Sequence, residues 1–200
     1  NPDLPWLTDV LRQQFPAALI DEFQDTDPLQ YAIFRSIYGA SDLPVFMVGD
    51  PKQAIYSFCN ADLHTYFSAR AEVDNHYTLP ENHRSTAGLI NACNTVFSAN
   101  SQAFMQTGLD FLPVRSGNRE RPELLDLSGT DSKASLTIWR LPDENGEWIE
   151  RSDAKNRAVE ATADEIVRLL SASDKGILSI DGKPVCAGDM AVLVRSHREA

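Results

Sequence analysis

Two short apolar runs, each breaking off into a polar turn, constrain this chain more than any other feature. Ala17-Ala18-Leu19-Ile20 ends in Asp21-Glu22, and Val45-Phe46-Met47-Val48 ends in Gly49-Asp50. Uninterrupted apolar runs of this length suit strands buried on both faces of a parallel sheet. Parallel neighbours need a crossover, and the segment between them supplies one. Thr26 or Asp27 can cap a helix, Pro28 suits its first turn, and Leu29, Ile33, Phe34 and Ile37 recur at helical spacing. The pattern is strand, helix, strand.

The alternation continues. Helical spacing covers residues 62–71 and 86–97, the latter with Leu89, Ile90, Cys93, Val96 and Phe97 on one face, and a short strand is expected over 76–79. This predicts an α/β fold, a parallel sheet with flanking helices. From 98 to 134 the chain scatters Gly108, Pro113, Gly117, Pro122 and Gly129 among polar residues without a sustained period, which predicts an irregular connection between domains. Beyond it, a strand over 135–141, a helix over 153–170, a hairpin turning at Asp181-Gly182 and a strand over 190–194 open a second unit, 135–200.

Charge and cysteine usage narrow the function. The 29 acidic residues outweigh 18 Lys and Arg, for a net charge of -11, which opposes nonspecific binding to phosphate backbones and requires any contact with DNA to be a localised groove. Cys59, Cys93 and Cys186 are widely spaced, with no C-x-x-C pair, and are expected as free thiols in a reducing compartment. No run approaches the roughly 18 apolar residues of a membrane span, and the first six residues lack a signal-peptide pattern, so a cytoplasmic location is expected.

The chemistry concentrates at Asp21-Glu22. Paired carboxylates at the carboxyl end of a strand sit where open α/β sheets bind ligands. Magnesium takes oxygen ligands and keeps several waters, so one carboxylate can hold the ion while its neighbour orients or deprotonates a water. The pair suits phosphate-ester hydrolysis.

The whole string LIDEFQDTDPLQ, residues 19–30, resembles motif II of the UvrD and RecB helicases of superfamily 1. VGDPKQAIYSF, residues 48–58, resembles their motif III, and LPENHRST, residues 79–86, their motif IV. The three stand in the family's order and spacing, and with LRQQFPAALI they look more like the RecB branch than UvrD, Rep or AddA. The likeness covers residues 11–97, with a fainter trace over 191–196.

The resemblance implies an ATP-dependent DNA helicase using ATP and Mg2+, with a RecA-like P-loop NTPase fold. Residues 1–97 would form the carboxyl-terminal part of the first motor domain and 135–200 the truncated start of the second. By the same resemblance Asp21, with Glu22 beside it, holds magnesium, and Glu22 is the general base for the water attacking the γ-phosphate. Gln53 senses that phosphate, Arg84 is the arginine finger, and His83 faces the adenine. Tyr56 and Phe58 lie toward single-stranded DNA. The RecB branch further implies action on duplex ends in double-strand break repair as part of exodeoxyribonuclease V, a nuclease domain elsewhere in the parent, and RecC and RecD as partner subunits.

Two positions depart from the family pattern. Cys59-Asn60 replaces Arg-Gly after the motif III aromatic, which removes a cation from the DNA side, and His83 replaces a larger aromatic. The sequence contains no G-x-x-x-x-G-K-[ST] phosphate loop, so the chain reads as an internal piece, inactive by itself. The competing readings are a UvrD, Rep or AddA-type repair helicase and a non-catalytic scaffold or DNA-binding subunit derived from such a motor.

Overall fold

The computed structural model describes residues 5–55, 62–128, 134–140, 149–194 and 196, with the side chain of Pro5 not included. The chain is α/β and divides into two compact units, Asn1–Thr78 with Ala99–Leu112, and Leu79–Ser98 with Pro113–Ala200. Among the described residues no helix is long and apolar enough to cross a membrane.

In the first unit, helix α1 (Pro5–Gln14) leads into strand β1 (Ala18–Ile20), helix α2 (Pro28–Tyr38), strand β2 (Val45–Met47) and helix α3 (Leu63–Glu72). The expected crossover is present, and β1 and β2 pair in parallel with Ile20 opposite Met47. Asp27 takes the capping position: its Oδ1 accepts from the Gln30 backbone N–H at 2.8 Å, while Gln30 Oε1 accepts from the Asp27 N–H at 3.1 Å. Such a reciprocal cap satisfies two otherwise orphaned donors, and Pro28 follows where its missing N–H costs nothing. Arg12 Nε donates to the Ile37 carbonyl and fastens α1 to α2. Tyr31 and Arg35 both reach Glu72, at 2.9 and 3.2 Å, and fasten α2 to α3.

Burial of these strands on both faces does not hold. Leu19 and Phe46 are opposite one another and 71% and 59% exposed, while their neighbours along each strand are half-buried. Successive side chains alternate across a strand, so one face of this pair is open.

The second unit begins with strand β3 (Glu81–Asn82), helix α4 (Ala87–Ser98) and strand β4 (Arg115–Ser116), with β3 and β4 parallel. Asn94 on α4 grips the approach to β4: its Nδ2 donates to the Val114 carbonyl at 2.8 Å and its Oδ1 accepts from the Val114 N–H at 3.2 Å. Strand β5 (Leu124–Asp126), helix α5 (Arg151–Asp174), strand β6 (Leu178–Ile180) and strand β7 (Lys183–Pro184) follow, the strands forming an antiparallel β5-β6-β7 sheet. Ala172, Leu178 and Val185 are buried together, with Leu169, Ile177, Ile180 and Met190 packed around them. Helix α5 ends where Gly176 adopts φ +73, with Gly176 N–H donating to Ser173 O at 2.8 Å and Ile177 N–H to Ala172 O at 3.0 Å. This paired closure needs a left-handed residue, which glycine supplies. The hairpin turns at Asp181 (φ 53) and Gly182 (φ 72), as its Asp-Gly signature predicts.

Three expected strands are absent. Residues 76–79 are irregular, and pairing starts after Pro80, at Glu81. Residues 134–140 and 190–194 form no strand either, and residue 141 lies outside the described residues. Leu193 is 97% exposed. A strand is defined by its hydrogen-bonded neighbour, and β-rich composition without one leaves extended, irregular chain.

Candidate functional site

Parallel pairing sends the carboxyl ends of β1 and β2 to the same edge. The Val48 N–H donates to Ile20 O and the Phe23 N–H to Val48 O, both at 2.8 Å, lacing the two exits together. Residues 21–24 and 48–53 therefore meet. Phe23 is buried, with Tyr31 and Tyr66 rings 5.8 and 6.0 Å from its own, and it anchors a short 3-10 turn, Phe23–Asp25. Asp21 and Glu22, just before this anchor, remain exposed. Glu22 has φ 50 and ψ 42, a left-handed conformation uncommon for a residue with a Cβ, and its N–H donates to Asp21 Oδ1 at 2.9 Å. Strain of this kind, about 1–2 kcal/mol, is concentrated at functional positions.

Gln24 is 2% exposed and spans the two loops. Its Nε2 donates to Glu22 Oε2 at 2.6 Å, and its Oε1 accepts from the Asp50 backbone N–H at 3.0 Å. Asp50 in turn caps a second 3-10 turn, Pro51–Gln53. Its Oδ1 accepts from the Lys52 N–H at 3.1 Å and pairs with Lys52 Nζ at 2.6 Å, and its Oδ2 accepts from Gln53 Nε2 at 3.2 Å. Burial works to raise the Asp50 carboxyl, yet the hydrogen bonds from the Lys52 and Gln53 side chains and from the Lys52 backbone outweigh it and hold the group below its ordinary value.

The donor set at Asp21-Glu22 fits magnesium. Both groups are exposed hard-oxygen ligands, and Glu22 Oε1 is left over once Gln24 has taken Oε2. No cluster of three or more His, Cys, Asp or Glu suited to a metal occurs among the described residues. An ion that keeps waters and phosphate oxygens in its shell needs only one or two carboxylates. Nearby, Asp25 Oδ1 is buried without a hydrogen-bond partner among the described residues, a polar atom with capacity to spare.

His83 and Arg84 belong to the second unit. Asn82 Oδ1 accepts from both the Arg84 and Ser85 N–H groups at 2.9 Å, which fixes the turn leaving β3. The Arg84 side chain is exposed and takes no ion pair or side-chain hydrogen bond among the described residues. His83 O accepts from Arg121 Nε at 2.8 Å, and the imidazole lies over Gly117, in space that a Cβ at 117 would need. His83 Nε2 is 3.6 Å from Glu81 Oε2.

Asp21, Glu22 and Gln53 thus share one sheet edge, and His83 and Arg84 share a separate turn. Tyr56, Phe58 and Cys59-Asn60 lie outside the described residues. Two participants escaped the sequence reading. Asp50 was detectable, because Asp followed by Pro at the first position of a turn is a capping signature. Gln24 carried no periodic or compositional signal, only its place inside the motif.

The UvrD/REP helicase N-terminal domain family matches residues 3–74. The chain is similar to the RecBCD enzyme subunit RecB of Escherichia coli (strain K12), 39% identical over 199 residues, covering 97% of this chain and 16% of that protein. It is 33% identical over 198 residues to the RecB subunit of Buchnera aphidicola subsp. Schizaphis graminum, again covering 97% of this chain and 16% of the relative. With the RecB subunit of Mycobacterium tuberculosis (strain H37Rv) the identity is 29% over 204 residues, 96% of this chain and 17% of the relative. The chain therefore spans 16–17% of the length of these relatives.

Proposed function

We propose, on the premise that this chain belongs to the UvrD/RecB family of helicases, that it forms part of the ATP-hydrolysing motor of a RecB-type DNA helicase. In this reading residues 1–97 are the carboxyl-terminal part of a first RecA-like domain, although 79–97 cluster with the second compact unit, and 135–200 are the start of a second. The parent translocates on single-stranded DNA, unwinds duplex ends in double-strand break repair with RecC- and RecD-type subunits, carries a nuclease domain elsewhere, and works in the cytoplasm.

The reading is supported above all by the shared edge at which Asp21-Glu22 and Asp50–Gln53 meet. Asp21, with Glu22 beside it, holds Mg2+, which when bound neutralises charge on the phosphate oxygens. Glu22 accepts a proton from the attacking water at its unengaged oxygen as the water oxygen bonds to the γ-phosphorus and the bond to ADP breaks. The Gln53 amide, a donor and an acceptor at once, contacts the γ-phosphate. Arg84, free of any ion pair among the described residues, supplies a permanent cation to the transferring phosphoryl group. His83 lies toward the adenine, and Tyr56 and Phe58 toward the DNA bases. These 200 residues encode no phosphate loop, so by themselves they neither hydrolyse ATP nor bind it tightly.

The test is ATP hydrolysis and unwinding of a blunt duplex by the full-length protein that carries this segment. Turnover is expected to require single-stranded DNA and to vanish in Glu22→Gln, with a nonhydrolysable ATP analogue still bound. ATP turnover that persists in Glu22→Gln, or is indifferent to DNA, refutes the assignment.

A further inference from the structure

We propose that Gln24 is a positioning residue that holds the Glu22 carboxylate and links it, through Asp50, to Gln53. The inference rests on reading Glu22 as the base and Gln53 as the phosphate contact. Three hydrogen bonds form the link: Gln24 Nε2 to Glu22 Oε2 at 2.6 Å, the Asp50 N–H to Gln24 Oε1 at 3.0 Å, and Gln53 Nε2 to Asp50 Oδ2 at 3.2 Å.

Only an amide completes this bridge. One end must donate to a carboxylate while the other accepts from a backbone N–H, and glutamate or methionine at the same length cannot do both. The bridge is also built into the packing. Gln24 is almost completely buried beside the anchored Phe23, and both polar ends of its amide are used, as a buried side chain requires. Room for it comes from Gly49, where a Cβ would lie 2.6 Å from Gln24 Oε1.

The three bonds are unequal, and the inequality suggests a direction of signalling. The bond to Glu22 is charge-assisted and short, whereas the bond from Gln53 is the longest and lies at the surface. When Gln53 leaves Asp50 for a phosphate, Asp50 keeps Lys52 on its Oδ1, and Gln24 keeps the Asp50 backbone. The change at Gln53 thus reaches the Asp50 carboxylate while the base stays aligned. The charged groups around the bridge are Asp21, whose Oδ1 holds the Glu22 N–H, Asp50, and Lys52.

The experiment uses the full-length protein with Gln24→Met, Gln24→Glu and Glu22→Gln, measuring kcat and KM of DNA-stimulated ATP turnover and the affinity for a nonhydrolysable ATP analogue. Gln24→Met removes both bonds without introducing a buried charge, and should lower kcat roughly ten- to hundredfold. Analogue binding should stay within about twofold of wild type, because the loss falls on the base and not on the phosphate cradle. Gln24→Glu keeps the acceptor for Asp50 but sets a second carboxylate against Glu22, so it should lower kcat at least as far, again with analogue binding nearly unchanged. Gln24→Met carries the same expectation without a new charge, which keeps the measurement decisive if Gln24→Glu does not fold. A purely structural role would lower turnover and analogue binding together. A kcat within a few-fold of wild type in both variants, in a protein that Glu22→Gln inactivates, overturns the role of Gln24 alone. Turnover surviving in Glu22→Gln overturns the reading beneath it and leaves Gln24 nothing to position.

Discussion

Gly49 lies so close to Gln24 that a Cβ at position 49 would sit 2.6 Å from Gln24 Oε1, 3.0 Å from the Phe23 backbone nitrogen and 3.1 Å from that of Gln24. Two of these three atoms are backbone, and the Phe23 N–H is committed to Val48 O. Gly49→Ala therefore forces the two loops apart. The expected cost is about 1–3 kcal/mol, the usual range for overpacking a close contact. Urea unfolding should show the midpoint falling at unchanged slope, whereas an unaltered midpoint would mean that the loops yield without loss.

A second prediction concerns acid. In the second unit Asp126 accepts from the Ser128 hydroxyl and from the Ser128 N–H, and pairs with Arg168 Nη1 at 2.9 Å. These bonds, the Ser128 side chain first, lower its carboxyl from 3.8 to about 2. A depressed carboxyl stabilises the folded state above its unfolded value, and that contribution drains away as pH falls from about 4 to about 2. Asp126→Asn should lower stability at neutral pH and flatten its dependence on pH over that window, read as the urea midpoint by circular dichroism. Arg168 keeps both bonds to Glu165 in the variant, so the helix end is not left with an unpaired cation.

What could be read in advance follows from how local each signal is. The crossover between β1 and β2 was legible because apolar runs, the Asp27 cap and Pro28 act within a few residues. The Asp181-Gly182 turn was legible for the same reason, since left-handed φ is a property of two residues. Helix α1 was missed, although Leu7, Val10 and Leu11 recur at helical spacing with Pro5 in its first turn. The strands expected over 135–141 and 190–194 do not form among the described residues, because pairing depends on a distant partner that local pattern does not reveal. The exposed Leu19 and Phe46 illustrate the same point, since an apolar run says that burial is possible and not which neighbour provides it. At the candidate site, parallel strand order alone predicts that Asp21-Glu22 and Gly49–Gln53 share an edge. The Gln24 bridge depends on how closely Gly49 approaches, which no spacing encodes.

A third prediction tests the DNA side. If Phe58 stacks on a base, Phe58→Ala in the full-length protein removes a contact of about 1–3 kcal/mol. Single-strand stimulation of ATP hydrolysis and unwinding should then weaken, with nucleotide binding in the absence of DNA nearly unchanged. Normal unwinding by a correctly folded variant would make Phe58 a packing residue.

The last prediction separates charge from geometry at Arg84. Its turn is held by the backbone, through the Arg84 and Ser85 N–H groups on Asn82 Oδ1, so truncating the side chain leaves the loop in place. The guanidinium is exposed and forms no ion pair among the described residues, so removing it strands no buried partner, and Arg84→Ala should hardly change the unfolding midpoint. Its effect belongs to turnover. An arginine finger contributes about 10³ to 10⁵ in rate by placing a bidentate cation on charge that grows only in the transition state, so binding of a nonhydrolysable analogue should weaken only modestly. Arg84→Lys keeps a positive charge but loses the planar fork, and should recover part of the rate and not all of it. The measurement is steady-state ATP hydrolysis by the full-length protein with DNA, alongside equilibrium analogue binding and urea unfolding. Turnover in Arg84→Ala within a few-fold of wild type would reduce Arg84 to a solvated surface cation, whereas a loss matched by an equal fall in analogue affinity would make it a ground-state contact.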